Sequence, residues 1–338
     1  MNQTREIKEE IASLQNPKVK NTLLLQKARE RKKQNLFIVE GKKEVYRALQ
    51  GGYSFKKIFI CREIFNEDGR DSLDDGHGIK GLKTNSIEDL NTQGIEDLNA
   101  RSSNKGGADR QDKSNEADAG NFRKRATDVG ELLSKLIPLL NKLTSEVEIN
   151  YVTSKVYAHM TYRKESEGII GWAVPHSHEL EKVRLSGNPL LLVIDAVEKP
   201  GNLGAILRTV DASGIDALII SDPRTDIYNP NVIRSSLGAL FTTQVGIGAV
   251  EEVIEWLIEH KLHLYCTALS ASIPYTDVDF RQPSAIVMGT EAIGLSETWL
   301  LRSDQNIIIP MQGVVDSMNV SVSAGIVLFE ALRQRNIK

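Results

Sequence analysis

Residues 190–222, LLLVIDAVEKPGNLGAILRTVDASGIDALIISD, decide the fold. The run LLLVID (190–195) is continuously apolar up to its last residue, as expected of a strand buried on both faces. After it come Pro200 and Gly201, which end the strand loop, and Asn202, a good cap for a helix that projects Arg208 two turns in. ALIISD (217–222) is a second buried strand. Strand, helix and parallel strand in this order predict a sheet covered on both faces, with ligands at the carboxyl ends of its strands.

The alternation continues to the end of the chain. Helices are predicted near 231–239, over 249–260 and over 320–335, and strands at HLYCTAL (263–269), AIVMG (285–289) and NIIIPM (306–311). Upstream, residues 17–34 read as one helix, LFIVE (36–40) as a short strand, and the segment from Lys42 as a helix stopped by Gly51-Gly52. FKKIFIC (55–61) reads as a further strand. Between Asn66 and Thr127 only eight of 62 residues are Leu, Ile or Phe, with no Val, Met, Trp or Tyr. Such a stretch cannot offset its ordering entropy by burial, so it reads as a mobile insertion, with IEDLN repeated at 87–91 and 95–99. Apolar patterning resumes at Leu132–Leu143, EINYVT (148–153) and GIIGWAV (168–174) and completes the first domain. The expected division is residues 1–185 and 186–338, because 338 residues exceed what one core usually serves.

Composition narrows the function. No run reaches the roughly 18–20 apolar residues of a membrane span, and MNQTREIKEE lacks the layout of a signal peptide, so a soluble, cytoplasmic protein is expected. Cys61 and Cys266 are too far apart for a metal knuckle, and His176-x-His178 has no HExxH context, so no metal is expected. Charge is divided. Residues 17–43 carry nine Lys/Arg against Glu30 and Glu40, a local +7, whereas residues 186–338 carry ten basic and seventeen acidic side chains, a net −7. If a polyanion binds, the front of the chain does most of the attracting, with Lys27, Arg29, Arg31, Lys32 and Lys33 the candidate contacts.

Three loops carry unusual residue choices. In VEKPGNLGAILRT (197–209), the Gly201-x-x-Gly204 spacing does not fit the GxGxxG dinucleotide fingerprint. In MGTEAIGLSE (288–297), Gly289 and Gly294 permit close backbone approach and positive φ around Glu291. In IPMQGVVDSMNVSVSAGIVLFEALRQR (309–335), Ser317, Asn319, Ser321 and Ser323 precede a long helix, more polar side chains than one cap requires.

In this order the three segments resemble the signature motifs of the SpoU/TrmH (SPOUT) family of RNA ribose 2′-O-methyltransferases. They stand here as Asn202-Leu-Gly204-Ala-Ile-Leu-Arg208, Gly289-Thr-Glu291-Ala-Ile-Gly294, and Ile309-Pro310-Met311-Gln-Gly313 through Ser317-Met318-Asn319-Val320-Ser321. Met318 stands where the family has Leu, a volume-conserving change. NPKVKNTLLLQKARERKKQNLFIVEGKKEVYRAL (16–49) is similar to the family's ribosomal-protein-like substrate-binding domain, from which the 66–127 insertion departs.

The resemblance implies an α/β protein with a C-terminal parallel-sheet SPOUT domain closed by a trefoil knot, behind a smaller N-terminal α/β RNA-binding domain. It implies S-adenosylmethionine (AdoMet) as methyl donor, RNA as substrate with ribosomal RNA preferred over tRNA, and a homodimer formed through the C-terminal domain. By the same resemblance, Gly289, Gly294, Ile309, Met311, Met318 and Leu269 surround the donor. Arg208, Asn202, Glu291, Ser317 and Asn319 make up the catalytic set, with Arg208 central. Two other readings stay open: a catalytically silent RNA-binding assembly factor on the same scaffold, and a different nucleotide enzyme on a doubly wound sheet.

Overall fold

The computed structural model describes residues 10–67, 131–143, 147–163, 167–270, 272–290, 294–314 and 317–336. The insertion read at 66–127 lies, but for its first two residues, outside them. The chain divides into two compact units, Met1–Val174 and Pro175–Lys338.

The first unit begins with α1 (Pro17–Leu24) and α2 (Ala28–Gln34), followed by β1 (Phe37–Glu40), α3 (Lys42–Gln50), β2 (Phe55–Ile60) and α4 (Arg62–Glu67). After the insertion come α5 (131–141), β3 (Glu148–Tyr151), α6 (Ser154–Met160) and β4 (Ile169–Ala173). The sheet order is β1-β4-β2-β3, antiparallel except for the parallel β2/β3 pair. Its core packs Val19, Leu25, Ile38, Phe59, Val152, Tyr157, Ile170 and Trp172, and the Trp172 indole donates to Thr22 Oγ1 at 3.0 Å.

The single helix predicted over 17–34 is broken at Leu25–Lys27, where Lys27 is extended. The Arg31 guanidinium turns back and donates to the carbonyls of Leu25 (3.1 Å) and Gln26 (2.7 Å), satisfying acceptors that the break leaves without helical partners. Arg31 is 5% exposed and therefore leaves the basic surface proposed from sequence. Lys42 is also internal, donating to the Phe65 carbonyl at 2.8 Å, while Lys18 binds Glu148 and Asn150. Lys20, Lys27, Arg29, Lys32, Lys33 and Lys43 remain exposed.

Behind this surface the turn from β1 to α3 is clamped by buried charge. Glu40 accepts from the backbone N–H groups of Tyr162 (2.8 Å) and Arg163 (3.2 Å), and Arg163 pairs with Glu44. Gly41, at φ +111°, has no room for a side chain, since a Cβ would strike the Glu44 carboxylate and come within 3.0 Å of Arg163. Glu44 Oε2 is buried without a hydrogen-bond partner among the described residues. Burial raises the Glu40 and Glu44 pKa values, and Arg163 opposes the rise.

The second unit contains β5 (Leu190–Asp195), α7 (Pro200–Ser213), β6 (Ala217–Ser221), α8 (Pro230–Ser236), β7 (Val245–Gly248), α9 (Val250–Glu259) and β8 (His263–Thr267). After these come β9 (Ser272–Pro274), β10 (Ser284–Met288), α10 (Glu297–Arg302), β11 (Gln305–Ile308) and α11 (Val320–Asn336). All seven strands are parallel, in the order β7-β6-β5-β10-β8-β11-β9. β7, β9 and α10 were not predicted, being short and, in β9, built on Ser-Ile-Pro. Residues 175–185 pack with this unit: Leu180 enters its core and the His178 ring bridges the Val245 carbonyl (3.1 Å) and the Tyr228 hydroxyl (2.8 Å). Burial lowers the His178 pKa and so favours the neutral ring. Cys61 and Cys266 are buried free thiols, the latter pushed up to about 11 by burial. Among the described residues, no helix is long and apolar enough to cross a membrane.

Arg163→Ala is expected to destabilise the first unit by about 3–5 kcal/mol at neutral pH, because it strands the buried Glu44 carboxylate, whereas Glu40 keeps its backbone donors. A carboxylate with a raised folded pKa favours the protonated fold, so the loss should shrink as pH falls into the carboxylate range and grow as pH rises. Urea unfolding at several pH values checks this; a loss independent of pH would contradict it.

Candidate functional site at the strand carboxyl ends

Four adjacent strands, β5, β10, β8 and β11, present their carboxyl ends side by side. The loops that follow them contain the residues singled out in the sequence. β5 and β10 are in register from Leu190/Ser284 to Ile194/Met288, so Asp195 and Gly289 emerge as neighbours although 94 positions separate them.

Asn202 does not cap α7. The helix starts two residues earlier, with Lys199 at the cap and Pro200 in the first position, where its fixed φ and missing N–H are favourable. The Asn202 side chain is thereby free to face α11, and its Oδ1 accepts from Asn319 Nδ2 at 3.1 Å. Asn319 is itself the cap of α11. Its carbonyl accepts from the N–H groups of Val322 and Ser323, both at 3.0 Å, and its Oδ1 accepts from the Ser321 N–H (3.0 Å) and hydroxyl (2.6 Å). Ser321 and Ser323 therefore lie inside the helix, not ahead of it.

A small cleft of about 70 Å³ lies at this junction, lined among others by Asp195, Glu198, Lys199, Asn202, Gly289 and Thr290. Asp195 is buried and accepts from Ser221 Oγ at 2.7 Å. Directly after the two strands, Ala196 (φ +48°) and Asp222 (φ +42°) hold left-handed backbone that non-glycine residues rarely adopt, a strain typical of functional loops. The polar end of LLLVID was the one sequence signal for Asp195; Lys199, Thr290 and Ser221 carried none.

Gly204 is required by packing, because a Cβ there would run into Ser235 Oγ and lie 2.9 Å from the Ser236 nitrogen. This contact sets the distance between α7 and α8. One turn further on, Arg208 is exposed and makes no ion pair or hydrogen bond with any described residue. Its charge is available to a ligand.

In the second motif, the Gly294 N–H donates to the Thr290 carbonyl at 2.9 Å, and Gly294 lies at φ +75°. A Cβ on Gly289 would collide with the Gly294 carbonyl and lie 2.5 Å from the Leu295 nitrogen. The glycine is thus needed for the close return of Gly294 and Leu295. Glu291 lies outside the described residues. Around the loops after β8 and β11, Ile309, Met311 and Met318 are half-buried, Leu269 is 76% exposed, and Ser317 is exposed. No group of three His, Cys, Asp or Glu side chains able to hold a metal occurs among the described residues.

A parallel α/β domain with a cleft of mixed polar and apolar lining between strand ends, and an exposed arginine and partly apolar loops in the same unit, has the form of a nucleotide- or cofactor-binding scaffold. Residues 189–329 match the SpoU rRNA methylase family and residues 16–90 an MRM3-like substrate-binding domain. The chain is 33% identical over 208 residues to the 23S rRNA (guanosine-2′-O-)-methyltransferase RlmB of Vibrio vulnificus, covering 60% of this chain and 84% of that one. It is 34% identical over 139 residues to the 23S rRNA (guanosine(2553)-2′-O)-methyltransferase RlmP of Bacillus subtilis, covering 41% of this chain and 56% of the relative. For that protein and two further relatives the matched stretch spans only 56–62% of their length. A crystal structure of an RNA 2′-O ribose methyltransferase superposes with a TM-score of 0.67 at 29% identity, over 97% of this chain and 100% of that one. The chain belongs to the SpoU rRNA methylase family.

Gly289→Ala is expected to push Gly294 and Leu295 away and lower the melting temperature, since the new methyl meets backbone that cannot rotate away. Calorimetric melting of the variant checks this; an unchanged transition would mean that the backbone adapts.

Proposed function

We propose that this chain is a cytoplasmic methyltransferase that moves a methyl group from AdoMet to a ribose 2′-hydroxyl of RNA, with ribosomal RNA as the substrate. The observation that carries the reading is the Asn319–Asn202 hydrogen bond, which joins the third motif to the first at a cleft that also contains Gly289 of the second. The names of the relatives support the same activity, and the family's AdoMet-bound members support the donor.

The half-buried Ile309, Met311 and Met318, with the exposed Leu269, suit the adenosine and methionine portions of the donor: apolar walls close to unpaired loop backbone. AdoMet would supply an electrophilic methyl group, its S–CH3 bond breaking to leave S-adenosylhomocysteine as the 2′-oxygen takes the methyl and gives its proton to water. The rest falls to the chain's own side chains. Arg208 holds the phosphate next to the target ribose and stabilises the oxyanion that develops as the hydroxyl attacks; a guanidinium is not deprotonated, so its work is electrostatic. Asn202 and Asn319 keep α7 and α11 in the alignment that in-line transfer needs, and the exposed Ser317 orients the ribose. Glu291 is assigned to the same loop set by its motif alone.

RNA capture belongs to Lys27, Arg29, Lys32 and Lys33, joined by Lys20 and Lys43, on the first unit, because the second unit is acidic overall. A homodimer through the C-terminal unit is part of the proposal, supported by Val322 and Phe329, both 52% exposed on α11. The return of α11 against α7 and β10 is compatible with a knotted C-terminal segment.

Arg208→Ala should reduce methyl transfer by about 10²–10³ while leaving AdoMet affinity unchanged by calorimetry, as expected for a contact made to the RNA and the developing charge. Equal loss of donor affinity would place Arg208 in the donor site instead. Replacing Lys27, Arg29, Lys32 and Lys33 by Gln should weaken RNA binding and flatten its salt dependence by about one log–log unit per lost phosphate contact. An unchanged salt slope would move the RNA surface elsewhere.

A further inference from the structure

Asn202 and Arg208 both stand on α7, and no side chain caps this helix at Lys199. Its start must therefore be held from outside. Residues 196–199, which lead into it, run beside the segment that follows β6, and the two are joined at successive levels. At the strand ends the Ser221 hydroxyl donates to the buried Asp195 carboxylate at 2.7 Å, and the Ala196 N–H donates to the Ser221 carbonyl at 2.9 Å. Next, the Arg224 N–H donates to the Val197 carbonyl at 3.2 Å. Last, the Arg224 guanidinium pairs with Glu198 at 2.6 Å, one residue before the helix cap.

These bonds hold a strained path. Ala196 and Asp222, the first residues after the two strands, sit at φ +48° and +42°, a conformation that non-glycine residues keep only where their surroundings impose it. The Asp222 N–H is anchored on the Gly248 carbonyl of β7 at 3.0 Å, so the loop after β6 is itself tied to the sheet. Ser221 and Asp195 are buried, which keeps water from competing for their hydrogen bond. The same segment then runs into α8, which meets α7 where Ser235 fills the place of a Cβ on Gly204. α7 is thus held at its start and again at Gly204, and Arg208 projects one turn further on. Placement matters here, because a shift of about 1 Å in an in-line transfer can cost about 10² in rate.

We propose that the Asp195–Ser221 and Glu198–Arg224 pairs are positioning pairs for the transfer: they set the start of α7, and with it the place of Arg208, without themselves contacting the RNA. The proposal rests on the methyltransferase reading above. Ser221 and Arg224 lie outside all three motifs, on the loop after β6, and act through α7 alone.

The test measures kcat, RNA affinity and AdoMet affinity of the full chain with ribosomal RNA, well below the melting temperature of each variant. Ser221→Ala should lower kcat by about tenfold or more with both affinities unchanged. In the Arg208→Ala background the same change should cost little further, because both losses pass through one guanidinium. Asp195→Asn keeps an acceptor for the Ser221 hydroxyl and should recover most of the rate that Asp195→Ala loses. Glu198→Gln and Arg224→Ala break the exposed pair from opposite charges, and each should lower kcat by about two- to fivefold. Undiminished kcat in Ser221→Ala, or in both exposed variants should Ser221→Ala not fold, would overturn the proposal. So would a loss that simply adds to that of Arg208→Ala, an Asp195→Asn chain as slow as Asp195→Ala, or opposite changes in RNA affinity from Glu198→Gln and Arg224→Ala, which would make that pair an electrostatic RNA contact. In each of these cases the parent chain still methylates RNA; a parent that methylates none would overturn the reading itself and the proposal with it.

Discussion

The parallel ladder between β5 and β10 is the constraint on which the C-terminal unit depends. The two strands are fully buried, and every Leu, Ile and Val on them contributes about 1.5–3 kcal/mol by leaving water. Their register brings the loop after Asp195 beside the loop after Met288. β10 is also the strand that β8 joins on its other side, so the loops after β8 and β11 line up next to it. A shift of one residue along this ladder would move Gly289 away from Asn202 and exchange the side chains packed on the two faces of the sheet. The site is a consequence of strand order more than of any one side chain.

Local features on the cleft divide between those that hold the frame and those left free. Gly204 and Gly289 are glycines because neighbouring side chain or backbone occupies the place of a Cβ. Asn319 caps a helix and reaches Asn202 with the same amide, so helix start and motif contact are one structure. Arg208, by contrast, has no described partner. The first unit shows the same division, with Arg31 and Lys42 internal and Lys27, Arg29, Lys32 and Lys33 outside. Frame and ligand contacts thus come from the same basic residue types, and only burial distinguishes them.

Much of the fold was legible in the sequence because its strands are continuous apolar runs: LLLVID is β5 from Leu190 to Asp195, and the closing helix was placed within a residue of Val320–Asn336. The motifs were legible as spacing. What stayed hidden depends on contacts between distant residues. Nothing local shows that Arg31 will bind the carbonyls of Leu25 and Gln26, and so the helix over 17–34 was read unbroken. Asn202 is a good cap by propensity, yet Pro200 outcompetes it for the helix start. Nor does the sequence reveal that Gly294 and Leu295 return to Gly289. Sheet order, and with it Asp195, Thr290 and Lys199 in one cleft, follows only from the three-dimensional pairing.

The central claim is that the cleft at the carboxyl ends of β5 and β10 carries methyl transfer to a ribose. The most direct measurement incubates the full chain with methyl-labelled AdoMet and ribosomal RNA, digests the RNA to nucleosides, and locates the label by mass spectrometry. The account predicts label on the 2′-oxygen of a ribose, at a defined nucleotide. Label on a base, or AdoMet bound with no transfer to any RNA supplied, would contradict it.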